Sequence, residues 1–217
     1  MNRLKALLFI ALSFSAWVLA EDLSIPAPST FQVIPATAEH IQQLKQGGYV
    51  IYMRHGLTDA RFPDLIPIDL EDIESQRPLS EAGIKLLDQV GQYVTKLKLP
   101  YKVVISSPFF RAQESAFRVF GEPIEVDIDL RYTAAMPDLE KQPAVVRTLE
   151  WISKPVADLG YNRVVVAHGP NIAELMDYLP PENTLVFFKP LGDQGFSYFA
   201  SIEPSHWPKL LKELNFE

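Results

Sequence analysis

Short, almost wholly apolar runs recur along the chain between longer stretches in which apolar positions come every third or fourth residue. The runs are YVIYM (49–53), YKVVIS (101–106), RVVVA (163–167), TLVFF (184–188) and GFSYFASI (195–202). Their length, their β-branched and aromatic content and the turn residues around them predict buried strands. VDIDL (126–130) is a further strand candidate.

The stretches between them predict helices. AEHIQQLKQGG (38–48) is a short one ended by Gly47 and Gly48. In SEAGIKLLDQVGQYVTKLKLP, Ile84, Leu87, Gly91, Val94 and Leu97 share a face, with Ser80 as N-cap and Pro100 as stop. SPFFRAQESAFRVFGEP turns at once into a helix closed by Gly121. A helix is expected within 139–153, with Pro143 near its first turn and Pro155 past its end. AELMDYL and a closing segment near 206–214 complete the set.

Strands without polar alternation, separated by helices, predict an α/β fold: a three-layer α/β/α sandwich around a mostly parallel sheet. Such sheets bind ligands outside the carboxyl ends of their strands. Three strands end there in chemically useful groups. YVIYM runs into Arg54, His55 and Gly56; KVVIS runs into Ser107 and Pro108, with Arg111 just inside the next helix; RVVVA runs into His168 and Gly169.

The bulk of the chain adds three constraints. At 217 residues, 47% hydrophobic and 22% charged, it suits one globular domain rather than a disordered one. Residues 1–20, with Arg3 and Lys5 ahead of an apolar run and Val18-Leu19-Ala20 at its end, read as a secretory signal peptide. Residues 21–36, rich in proline, serine and threonine, read as an exposed lead-in, leaving 37–217 as the folded domain. The expectation is therefore a soluble exported protein with no lasting membrane anchor, periplasmic in a Gram-negative bacterium. With no cysteine there is neither a disulfide nor a thiolate nucleophile. A formal charge of −7 argues against nucleic acid as a partner, although arginines gathered in one pocket can still hold an anion.

Two arginines and two histidines at one sheet edge suit a phosphoryl dianion. Guanidinium forks match phosphate oxygens in pairs and oppose the charge that spreads over them during transfer. A neutral imidazole can attack phosphorus and form a phosphohistidine that water later cleaves. For that, a backbone carbonyl would accept a hydrogen bond from one ring N–H and leave the other nitrogen free, an approach the tight turn at Gly56 allows.

RHGLTD (54–59), RPLSEAG (77–83), SSPFFRAQESA (106–116) and VVVAHGPN (164–171), in this order, resemble the histidine phosphatase superfamily, in its smaller, phosphoglycerate mutase-like branch. The resemblance implies a phosphomonoesterase without metal or organic cofactor, acting on a small phosphorylated substrate. It implies that His55 is the phosphorylated nucleophile, with Arg54, Arg111 and His168 completing the phosphate pocket and Thr58 adding a hydroxyl. The signal peptide with RHGLTD and HGPN is also similar to bacterial lipopolysaccharide-core phosphatases, which implies an envelope sugar phosphate. Asn171 is a further substrate-binding candidate, or else an N-cap.

One departure stands out. Many members carry a glutamate two residues after a leucine beyond the third strand, as leaving-group acid; here Leu130 and Arg131 are followed by Tyr132. Asp59 is the first substitute candidate, with Asp129 and Asp138 behind it. Two other readings stay open: a phosphoglycerate mutase-type phosphotransferase, and a phosphate-binding module whose catalysis has lapsed. His40 and His206 lack partners at ligand spacing, so no metal site is expected.

Overall fold

The computed structural model describes residues 31–134 and 136–216. The expected signal peptide and most of the lead-in lie outside the described residues. From Phe31 the chain already packs: Pro35 bridges Ser201, and the Phe31 ring stacks on Tyr178 at 4.7 Å. The domain thus takes in several residues before Thr37.

Six strands form one sheet. They are β1 (Val50–Arg54), β2 (Tyr101–Ser106), β3 (Ile124–Val126), β4 (Asn162–Ala167), β5 (Leu185–Pro190) and β6 (Phe196–Ile202), in the order β3-β2-β4-β1-β5-β6. β3, β2, β4 and β1 run parallel, whereas β5 is antiparallel to both β1 and β6. The helices are α1 (Ala38–Leu44), α2 (Glu81–Leu97), α3 (Phe110–Phe120), α4 (Asp138–Ser153), α5 (Gly169–Met176) and α6 (Trp207–Glu213).

Each central strand divides its side chains between two cores. Ile51, Met53, Val164, Val166, Leu185 and Phe187 join the residues of α1, α2, α3 and α6, while Val50, Tyr52, Val165, Ala167, Val186 and Phe188 join those of α4 and α5. Period-two packing on both faces is why these strands are apolar throughout. The sheet and its two helical layers make the expected α/β/α sandwich.

Two elements differ from the sequence expectation. The third strand is IEV, not VDIDL, because the Asp127 carboxylate accepts the Asp129 N–H and receives Arg147 Nε and Trp151 Nε1, both at 2.6 Å. Those bonds turn the chain out of the sheet and leave Ile128 exposed. α4 begins at Asp138, so Pro143 sits inside it rather than near its start, where its missing N–H removes one helical bond.

Candidate active site

The sheet register brings the chemistry together. Arg54 pairs with Ala167 and Ser106 with Val166, so β1, β4 and β2, adjacent in the sheet, end level. The residues just past those ends are His55, Ser107 and His168. His55 N–H donates to the Ala167 carbonyl at 2.9 Å and Ser107 N–H to that of Val166 at 2.9 Å, extending the ladder into the site.

His55 is 1% exposed. Its Nδ1 lies 2.9 Å from the Gly56 carbonyl oxygen. A carbonyl only accepts, so Nδ1 carries the proton and Nε2 keeps its lone pair. Burial, then the Arg111 guanidinium, hold the ring well below the usual histidine pKa. His168, fully buried, is lowered in the same way by burial and by His55. Its Nε2 meets Ser107 Oγ at 2.7 Å, its ring lies 5.2 Å from that of His55, and its Nδ1 has no protein partner.

Both depressions make the fold acid-sensitive. Above about 6.5 the two rings are neutral in folded and unfolded chains alike and contribute nothing. Below it the unfolded chain takes up protons that the folded chain cannot. Stability should then fall by about 1.4 kcal/mol per pH unit for each ring, until the lower folded pKa is reached. Denaturant unfolding between neutral and acid pH reads this slope, and His55→Gln should reduce it by about one ring's share.

Arg54 Nη1 donates to the Pro180 carbonyl at 2.7 Å, and Nη2 lies 3.8 Å from Glu182 Oε1. Gly169 makes room for it: a Cβ there would sit 2.8 Å from Arg54 Cδ and 3.0 Å from its Nε. Gly169→Ala should therefore push the guanidinium out of line and cost between about ten- and a hundredfold in kcat/KM, with secondary structure retained in circular dichroism.

The Arg111 guanidinium has no exposed side-chain surface. It lies over Phe109 at 4.5 Å and Tyr132 at 5.5 Å. Its fork meets the Asp64 carboxylate, with Nη1 to Oδ1 at 2.9 Å and Nη2 to Oδ2 at 3.3 Å. Tyr132, where the glutamate was expected, gives the pocket an aromatic wall beside His168, 5.4 Å ring to ring.

The remaining sequence candidates are placed differently. Thr58 does reach the site, where Oγ1 donates to Glu182 Oε1 at 2.9 Å, and Glu182 lies 3.9 Å from His55 Nδ1. In this structure the Asp59 carboxylate is paired with Arg61 rather than turned to His55. Arg61 grips both its oxygens through Nε and Nη2 and holds its carboxyl down at about 2. Asn171 is not a ligand-facing residue. Fully buried in the first turn of α5, it spends its amide on the Arg131 carbonyl at 3.0 Å and on Thr148 and Thr133, pinning the chain behind Tyr132. The α5 cap position belongs to His168. Asp129 is exposed in the turn after β3, and the side chain of Asp138 lies outside the described ones. Phe109 is buried and forms part of the pocket wall, under the Arg111 guanidinium and beside His168.

Glu182, Asp64 and Arg77 belong to the site without having been singled out. Arg77 lends its field to His55, His168, Arg54 and Arg111. Among the described residues, no group of three or more His, Cys, Asp or Glu could hold a metal ion.

No family model matches this sequence, and no curated protein does. Solved structures do match in shape. The alpha-ribazole phosphatase of Shigella flexneri superposes with a TM-score of 0.52 at 15% identity, over 72% of this chain and 96% of that one. A candidate alpha-ribazole-5'-P phosphatase from Escherichia coli gives 0.51 at 15% identity, over 73% and 98%. A candidate phosphohistidine phosphatase SixA from Nakamurella gives 0.50 at 18%, over 72% and 96%. This chain shares the fold of these phosphatases, a phosphoglycerate mutase-like fold.

Proposed function

We propose that this protein is a phosphomonoesterase that works through a phosphohistidine on His55, needs no metal, and is exported to act on a small phosphorylated substrate. The observation that carries the reading is the His55 ring itself. Its Nδ1 proton is committed to Gly56, its Nε2 lone pair is free, and its ring lies in the positive field of Arg111, Arg54 and Arg77.

In the first step Nε2 attacks phosphorus, an N–P bond forms and the ester P–O bond breaks, its electrons leaving with the alcohol oxygen. Arg54 and Arg111 oppose the charge on the equatorial oxygens. In the second step water attacks the phosphohistidine, the N–P bond breaks, and phosphate leaves while Nε2 recovers its lone pair. A fixed positive field keeps imidazole from protonating and favours the anionic transition state at the same time.

With Tyr132 in place of the expected glutamate and Asp59 locked to Arg61, esters whose alcohol leaves without help are the preferred assay substrates. Purified mature chain should hydrolyse an aryl phosphate at an undiminished rate in a metal chelator. Loss of the activity in chelator would sink the metal-free reading. Export is supported by residues 1–20, and an envelope sugar phosphate is the substrate class that export favours; fractionation of cells producing the full chain tests the first, and a panel of sugar phosphates the second.

A further inference from the structure

Residues 59–78 form a loop whose ends are tied together at its base. Thr58 bridges Leu79, and Asp59 N–H donates to the Pro78 carbonyl. Inside the loop, Leu65 N–H donates to the Ser75 carbonyl, and the Ser75 hydroxyl, with one proton to donate, lies within hydrogen-bond reach of the carbonyls of Asp69 and Asp72. It is a self-braced surface loop. It grips the pocket through two polar contacts: Gln76 Oε1 accepts Phe110 N–H at 3.0 Å, and Asp64 holds Arg111.

The second contact is a two-point pairing of the kind a guanidinium fork also makes with phosphate oxygens. Both Asp64 oxygens face the Arg111 fork, and Oδ1 also accepts the Arg77 backbone N–H at 2.7 Å. Arg111 is fully covered while the Asp64 side chain is 15% exposed, so the carboxylate stands between the fork and solvent. Under it His55 is 1% and His168 0% exposed. The Nε atoms of Arg54, Arg77 and Arg111 are buried without partners. With Asp64 withdrawn, Arg111 would lose its carboxylate partner while Arg54 keeps Glu182 at 3.8 Å, leaving uncompensated positive charge beside His55 that a phosphoryl dianion would neutralise.

We infer that Asp64 is a tethered competitor for the phosphoryl position, an internal carboxylate that closes the pocket on Arg111 and is displaced when a phosphate monoester dianion enters. This rests on the phosphatase reading above and adds to it a regulation of the same site. Substrate must repay the opening of the latch, so the apparent affinity is the intrinsic one reduced by the fraction of molecules already open. The loop chooses between two occupants of one fork, and charge decides which stays.

The test is calorimetric titration of the full mature chain with inorganic phosphate, wild type against Asp64→Asn. Asparagine keeps an oxygen for the Arg77 N–H and loses the charge. Asp64→Ser serves as second variant, and thermal unfolding confirms that each is folded. The expected result is that phosphate binds at least about tenfold more tightly to both variants, with kcat/KM on an aryl phosphate rising in step. Diethyl pyrocarbonate should also modify His55 faster in the variants, as read by peptide mapping. Unchanged or weaker phosphate binding overturns the inference. So does unchanged binding with a fall in kcat, which would make Asp64 the leaving-group acid instead. If neither wild type nor variants bind phosphate, the phosphoryl-pocket reading itself fails, and the latch with it.

Discussion

Replacing His55 with alanine should abolish phosphatase turnover, with a loss of at least about four orders of magnitude in kcat. The size reflects the role: without the ring no N–P bond can form, and no described neighbour offers a comparable nucleophile in that position. His168 is fully buried and its Nε2 is engaged by Ser107, so it does not present that nitrogen in place of His55 Nε2. The variant should still fold, since a cavity at the sheet edge leaves both cores intact, and it should still bind phosphate through Arg54 and Arg111. Steady-state hydrolysis of an aryl phosphate, paired with phosphate titration, reads both halves. A variant that keeps more than about one per cent of the activity would remove His55 from the chemistry.

Arg111→Lys should cost between about a hundred- and a thousandfold in kcat/KM while preserving the charge. Lysine is a single flexible ammonium, whereas the Arg111 fork is planar, fully covered, and braced over Phe109 and Tyr132. It cannot present two parallel donors to phosphate, nor to Asp64. A double-mutant cycle with Asp64→Asn makes the point sharper. If the two side chains act independently, their effects add; if Asp64 latches the fork, the gain from Asp64→Asn should shrink to near nothing in the Arg111→Lys background. Steady-state kinetics on the four proteins reads the coupling.

Much of this site is legible in the sequence because strands and turns are local. YVIYM, YKVVIS and RVVVA each announce a buried strand, and a parallel sheet delivers the residues after each strand to one edge, so the chain order alone places Arg54, His55, Arg111 and His168 together. The proton arrangement on His55 is equally local, since Gly56 is the next residue.

The missing parts depend on direction and tertiary contact. TLVFF is almost wholly apolar and reads the same for a strand running either way. Because β5 in fact runs antiparallel to β1, its beginning rather than its end lies at the reactive edge, and the loop before it brings Pro180 and Glu182 against Arg54. Nothing in PPEN marks that. Asp59 lies four residues from His55 in the chain, yet Arg61, two residues further on, claims its carboxylate. Asp64 lies farther away in sequence and reaches the pocket because a loop folds back on itself. Asn171 comes three residues after His168, which places it in the buried first turn of α5 facing Thr148 and Arg131. VDIDL alternates like a strand, but the bonds made by Asp127 end the strand before the pattern does.

The measurement that bears most directly on the phosphohistidine mechanism is a rapid-quench experiment. Mature protein is mixed with an aryl phosphate, quenched into base within the first turnover, digested and mapped by mass spectrometry. The mechanism predicts a base-stable, acid-labile phosphoryl group on the His55 peptide, formed no more slowly than the steady-state rate and absent from His55→Ala. Turnover without any phosphoryl group on His55, or with the group on another residue, would contradict it.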